Sequence, residues 1–213
     1  KTTLFNLATG FLSPTSGRVI FEGKEITDRA PHVISRLGIA RTFQNGSNFG
    51  NLTVRENLVM ASRNRIETSW LPRLLHLGAA RSEEAAHGKL ADAILERFAM
   101  QEFADALAAD LPGGTQKILG VAIAYATGPR LLMLDEPLAG LNSGEKLKLM
   151  QIIRGLREDS LTIVLIEHDM KAIMQTCDRI TVLCYGDLIA EGTPDEIRQN
   201  PATIQAYLGE EAA

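Results

Sequence analysis

Cysteine is scarce in this chain of 213 residues, which holds Cys177 and Cys184 alone. Two thiols cannot build a disulfide framework, and neither has the Cys/His spacing typical of zinc, so reduced thiols of a cytosolic protein are expected. Basic charge is not in excess either. Lys and Arg number 22 against 26 Asp and Glu, a net charge of -4, which argues against a strongly basic nucleic-acid binder. Long apolar runs are missing: the most apolar stretch, 118–134, is cut by Gly128-Pro129-Arg130. It falls short of the roughly 20 consecutive apolar residues that a spanning helix needs. What remains, 45% hydrophobic and 23% charged, is ordinary for a folded chain and wrong for a disordered one. The length suits one globular domain, or one domain with a small inserted lobe.

Residues 1–8 (KTTLFNLA) place Leu4 and Leu7 on one helical face before Gly10, a natural stop. Residues 18–27 (RVIFEGKEIT) read as a short hairpin around Gly23, and 39–44 (IARTFQ) as a brief strand. From Thr53, with Glu56 three residues on as a capping-box partner, to about Asp110 the pattern is helical, a block inserted into something else. Gly113-Gly114 then opens an apolar helix to Ala126. Two apolar runs follow, 130–134 (RLLML) and 161–166 (LTIVLI), separated by a helix from about Ser143 to Glu158. Such runs suit strands buried on both faces of a parallel sheet, and strand, helix, strand predicts a right-handed α/β unit. A last hairpin around Tyr185-Gly186-Asp187 and two short helices from Pro194 and Pro201 complete the chain. His32 and His87 carry no spacing signal and read as surface residues.

Both apolar strands end in polar residues, Asp135-Glu136 and Glu167-His168-Asp169. Ligands of open α/β sheets bind at the carboxyl ends of strands, so Asp135, Glu136 and His168 should share one edge. Adjacent carboxylates there suit a nucleoside triphosphate site, the first holding Mg²⁺ and the second activating a water. Taken alone, the same pair also suits a capped turn and a solvated loop residue. Lys1-Thr2-Thr3 at a helix start matches the tail of a phosphate-binding loop, in which Lys meets phosphates and the hydroxyl meets Mg²⁺, although a frayed terminus gives the same letters. The segment Leu111-Pro112-Gly113-Gly114-Thr115 offers backbone N–H groups at a helix N-terminus, where phosphate binds, or is simply a loop leading into a helix.

In this order, K-T-T, Gln44 after R-T-F, L-P-G-G-T-Q, L-L-M-L-D-E-P, L-A-G-L-N and I-E-H-D-M resemble the ATP-binding subunit of ABC transporters over essentially the whole chain. The resemblance implies an α/β fold with a P-loop NTPase-like parallel sheet core, an N-terminal antiparallel β subdomain and an inserted helical subdomain. It divides the chain into a core at 1–52 and 111–213 and a helical part at 53–110. It further implies that the chain starts within the phosphate loop, so that the intact protein is longer by ~30 residues or more.

The roles that follow are implied by that resemblance. Lys1, Thr2 and Thr3 are similar to the ATP-binding end of the phosphate loop, and Thr2, Gln44 and Asp135 to its Mg²⁺ site. Glu136 resembles the catalytic base, His168 the switch histidine at the γ-phosphate, and Gln44 the loop glutamine that relays to the membrane partner. Residues 138–142 resemble the loop crossing a dimer interface, and Pro112, Gly113, Gly114, Thr115 and Asn142 the groups facing ATP of the opposite subunit. Three positions depart from the family: Pro112 stands where Ser is usual, Thr115 where Gln is usual, and Asn142 where the interface carries Asp. Pro112 cannot offer a hydroxyl, so the contact there should rest on main chain, helix dipole and Thr115. The helical block is where this family docks its membrane subunit; Trp70, Leu71 and Leu74 suit such contact or ordinary helix packing.

Within the family, Arg41 to Asn45, Gly140-Leu141-Asn142, Ile166 to Met170 and the tail from Glu191 to Gly209 resemble subunits of branched-chain amino acid importers and of importers of related amides. Lipopolysaccharide-export ATPases share much of the pattern, and non-transport ABC ATPases or a nucleotide-binding-deficient fragment are the other readings. The expectation is an ATPase that binds ATP with Mg²⁺ and forms a homo- or heterodimer of ATPase subunits. Its partners are transmembrane permease subunits and, indirectly, a solute-binding protein, with no nucleic acid. Its expected place is cytoplasmic, peripheral on the inner face of the cell membrane.

Overall fold

The apolar run Leu131–Asp135 forms strand β4, flanked in a three-stranded parallel sheet by β3 (Ile39–Arg41) and β5 (Thr162–Ile166). The structure is a computed structural model that describes residues 1–42, 48–63, 77–203 and 205, with the backbone alone at 77–82. Leu131 pairs with Ile39 and Thr162, and at the far end Asp135 pairs with Ile166. β4 is buried along nearly its whole length, as its composition predicts. β5 is not: its residues alternate exposed and covered, with Val164 40% exposed. An apolar composition says that a strand can be buried, whereas its place in the sheet decides whether it is, and β5 is an edge among the described residues.

The helices follow along the chain as α1 (Thr2–Ala8), α2 (Pro31–Arg36), α3 (Val54–Ser62), α4 (Leu77–Arg97), α5 (Gly113–Ala126), α6 (Ser143–Glu158), α7 (Met170–Thr176) and α8 (Pro194–Gln199). The bounds of α5 and α6 fall where the sequence puts them because local chemistry sets them. Pro112 caps α5 with an extended ψ of 145°, and Asn142 and Glu145 exchange side-chain and backbone bonds in a capping box at α6. The Thr53–Glu56 box opens α3 as expected. The helical pattern does not run to Asp110, however. After α4 the chain takes two 3₁₀ turns, Gln101–Phe103 and Ala108–Asp110, and Thr53 bridges Leu107 antiparallel. Two helices cannot close their own ends, and this bridge ties entry to exit.

The hairpins β1 (Ile20–Phe21) with β2 (Lys24–Glu25), and β6 (Ile180–Cys184) with β7 (Asp187–Gly192), are antiparallel. Both turn through left-handed residues, Glu22-Gly23 and Tyr185-Gly186, the pattern of tight two-residue turns. Cys177 and Cys184 are free thiols.

Two apolar clusters enclose the sheet. Phe5, Ile26, Ile34, Ile39, Met133 and Ile166 pack together on the α1 and α2 side. The larger one runs without a break from Leu58, Leu95 and Phe98 of the helical block through Leu119 to Leu132, Leu134, Leu149 and Leu156. Each such fully buried side chain contributes about 1.5–3 kcal/mol. The helical block therefore shares its core with the sheet rather than owning one.

Candidate functional site

Parallel pairing of β4 with β5 sets their carboxyl ends side by side, which places Asp135, Glu136 and His168 at one edge, with Thr2 reaching Asp135 from α1. Asp135 ends β4, 4% exposed, and Thr2 at the start of α1 points its hydroxyl at Oδ1 over 3.5 Å. Arg41, at the end of β3, donates from Nη2 to the other carboxylate oxygen, Oδ2, at 2.9 Å. The Arg41 Nη1 reaches Asn6 Oδ1 at 2.6 Å and Thr9 Oγ1 at 3.2 Å, and the guanidinium lies 5.5 Å above the Phe5 ring. The Asp135 amide also donates to Thr42 Oγ1 at 3.2 Å. A buried carboxylate is tolerable only when paired and bonded in this way.

Glu136 follows at φ +47, a left-handed conformation that a non-glycine residue adopts at a cost of about 1–3 kcal/mol and that concentrates at functional sites. Its amide donates to the Ile166 carbonyl at 2.9 Å, which fixes it against the end of β5. Its side chain is half-buried. His168 stands two residues past β5 with a side chain 70% exposed, presented outward. Lys1 is exposed, as is Thr3.

A hydroxyl and a carboxylate, Thr2 and Asp135, are an all-oxygen pair of the kind Mg²⁺ takes together with substrate phosphates. Among the described residues no three His, Cys, Asp or Glu side chains gather into a metal cluster. The donor set fits a phosphate-borne Mg²⁺ and not a cation held by protein alone.

The N-terminus of α5 lies elsewhere. Pro112 and Gly113 are exposed, Gly114 and Thr115 half-buried, and no side chain caps the first turn at Pro112. A Cβ on Gly113 would meet nothing within 4 Å, while one on Gly114 would come 2.1 Å from Glu145 Oε1. A side chain at 114 would therefore displace the Glu145 carboxylate at the first turn of α6, whereas Gly113 leaves an open face. Lys117 donates to the Ala139 carbonyl, tying α5 to the loop at 136–141. Asn142 is exposed, and its Oδ1 accepts from the Glu145 amide at 3.0 Å, so its side chain is engaged as a cap.

Gln44 lies outside the described residues, as do Trp70, Leu71 and Leu74. His32 is exposed as expected, but His87 is not a surface residue: it is 3% exposed, with Nδ1 2.7 Å from Ser62 Oγ. Its partner is 25 residues away on α3, a pairing that no local spacing announces. Sequence reasoning also left without a role Arg41 and Glu167, the polar residues at the ends of β3 and β5. Their only signal was a charged residue next to an otherwise apolar strand.

A family model described as ABC transporter matches residues 1–139. The chain belongs to the ABC transporter ATP-binding family. A second model, described as branched-chain amino acid ATP-binding cassette transporter, matches residues 188–213. The chain is 44% identical over 211 residues to the high-affinity branched-chain amino acid transport ATP-binding protein BraF of Pseudomonas aeruginosa, covering 99% of this chain and 83% of that one. It is 42% identical, with the same coverage, to LivG of Salmonella typhimurium, a protein of the same description. Among solved structures, an ATP-binding cassette of an ABC transporter in its ADP conformation superposes with a TM-score of 0.78 at 29% identity, over 98% of this chain and 83% of that one. As an ABC ATP-binding domain, this chain is a nucleotide-binding ATPase subunit.

Proposed function

We propose that this chain hydrolyses ATP to drive import of branched-chain amino acids or closely related small solutes. The observation that carries the catalytic part is the gathering of Thr2, Asp135, Glu136 and His168 at one carboxyl edge of the parallel sheet. The solute class is supported by the match of residues 188–213 and by the relatives' names.

Lys1 and the first turn of α1 would bind the terminal phosphates, with Thr2 and Asp135 holding Mg²⁺. Bound there, Mg²⁺ would neutralise charge developing on the phosphates. Glu136, aimed by its left-handed backbone, orients a water and takes its proton. His168, outward-facing and tethered through Glu167, donates a hydrogen bond to the terminal phosphate. Gly113 and Gly114 present backbone amides and the positive end of α5 to ATP on a second ATPase subunit, with Thr115 in place of a serine hydroxyl and Asn142 at the joint. Gln44 would relay nucleotide state to the permease. No described helix is long and apolar enough to cross a membrane, which suits a subunit that works peripherally on the inner face, against transmembrane permease partners and indirectly a solute-binding protein.

The test is Glu136→Gln in the full chain. ATP affinity should stay within about threefold while turnover drops by about 10² or more, the scale of losing a positioned general base. Unchanged turnover would remove Glu136 from that role. Reconstitution of the unsubstituted chain with the permease and the solute-binding protein should give ATP turnover that rises with leucine, isoleucine or valine; indifference to all three would refute the solute assignment.

A further inference from the structure

Two carboxylates are buried among the described residues, Asp135 and Glu167, and they are satisfied in different ways. Asp135 has the Arg41 cation. Glu167, its side chain only 1% exposed, is held chiefly by main chain. Its Oε1 accepts from the Leu138 amide at 2.7 Å and its Oε2 from the His168 amide at 3.2 Å. The two amides belong to different segments: Leu138 sits two residues past Glu136 in the loop that ends at Asn142, and His168 carries the outward imidazole. A charge-assisted bond to a backbone N–H is among the stronger bonds a buried carboxylate makes, and desolvation strengthens it further.

Neighbouring links reinforce the same join. The Glu136 amide bonds the Ile166 carbonyl at 2.9 Å, and Lys146 on α6 bonds Asp169 at 2.9 Å, with Glu167 adding to the field that favours the charged Lys146. Backbone, buried carboxylate and ion pair thus connect 136–146 to 166–169 at three successive levels. Of the three, only the Glu167 link reaches into the loop between Glu136 and Asn142 with a side chain.

We propose that Glu167 is a positioning residue that brackets the 136–142 loop to His168, so that the base, the loop and the imidazole keep one relative geometry. It rests on the reading of Glu136 and His168 as the groups acting on ATP. Glu167 itself touches no substrate. Its effect is on where two other side chains stand, and misplacement of reacting groups by about 1 Å costs on the order of 10²-fold in rate.

The experiment uses the full chain with E167A, E167D and E167Q, measuring kcat and KM for ATP separately and amide hydrogen exchange across 136–142 and at His168. E167A should lower kcat by about tenfold or more with KM within about threefold, the split expected of lost alignment rather than lost binding. The Leu138 amide should exchange faster. E167Q, whose side-chain carbonyl still accepts from Leu138, should recover most of kcat and the Leu138 protection. E167D, drawn back by one methylene, should fall between. Unchanged kcat in E167A, equal damage in E167A and E167Q, or unaltered exchange at Leu138 would each overturn the proposal. Should E167A not fold, E167D decides: slower turnover with faster Leu138 exchange supports the bracket, and parent-like values refute it. A parent chain that binds but never hydrolyses ATP would sink the catalytic reading instead, while amide exchange would still decide the bracket.

Discussion

Arg41 pairs with Asp135 across 2.9 Å, with side chains 7% and 1% exposed, and joins the ends of β3 and β4 to α1 through Asn6 and Thr9. The carboxylate at the end of β4 is thereby held in one orientation by a guanidinium that is itself fixed to α1. Replacing Arg41 by Met would strand a buried negative charge. The expected loss is about 3–5 kcal/mol in urea unfolding, partly restored by adding Asp135→Asn. Arg41→Lys should fall between, since a point charge cannot fork to Asp135, Asn6 and Thr9. A single Arg41→Met variant as stable as the parent would show that the Arg41–Asp135 pair does not hold the fold together.

Ser62 and His87 form the second buried polar pair. Ser62 Oγ donates to the Val59 carbonyl at 2.8 Å, which leaves it to accept from His87 Nδ1. Ser62→Ala would orphan that ring nitrogen inside the helical block and should cost about 1–3 kcal/mol. Thermal unfolding measures it; a shift within error would mean that water or another group serves His87.

The ion pair of Lys146 and Asp169 supplies a pH signature. The Lys146 ammonium beside it, then the Ala172 amide, hold the Asp169 carboxyl below its ordinary 3.8. That contribution is present above 3.8 and disappears as acid protonates Asp169. The bond to Asp169 raises Lys146 above its ordinary 10.5, so its contribution is present below 10.5 and disappears in stronger alkali. Lys146→Met should therefore flatten the fall of the melting temperature between neutral pH and pH 3. An identical slope in parent and variant would dismiss the pair as a contributor.

How much of this could be seen in the letters depends on range. Helices α5 and α6 are set by residues within a turn of their ends, Pro112, Gly113 and the Asn142–Glu145 box, and their bounds were legible. So was the shared edge of Asp135, Glu136 and His168, because two parallel strands side by side must end together. The roles of Arg41 and Glu167 were not. Arg41 meets Asp135 from 94 residues away and Glu167 meets Leu138 from 29, and no spacing rule encodes such pairs. His87 looked like a surface residue for the same reason. Strand β5 misled differently, since Leu, Ile and Val describe what a strand can tolerate and not how many neighbours it has.

The unbroken apolar seam from Leu58 and Phe98 to Leu132 and Leu156 restricts how force can travel through the molecule. A hinge needs a gap or a slender strap between two bodies, and close-packed Leu, Ile and Phe provide neither. Any displacement of the helical block must slide interlocked side chains past one another, a shear of small steps in which each step loads the sheet at once.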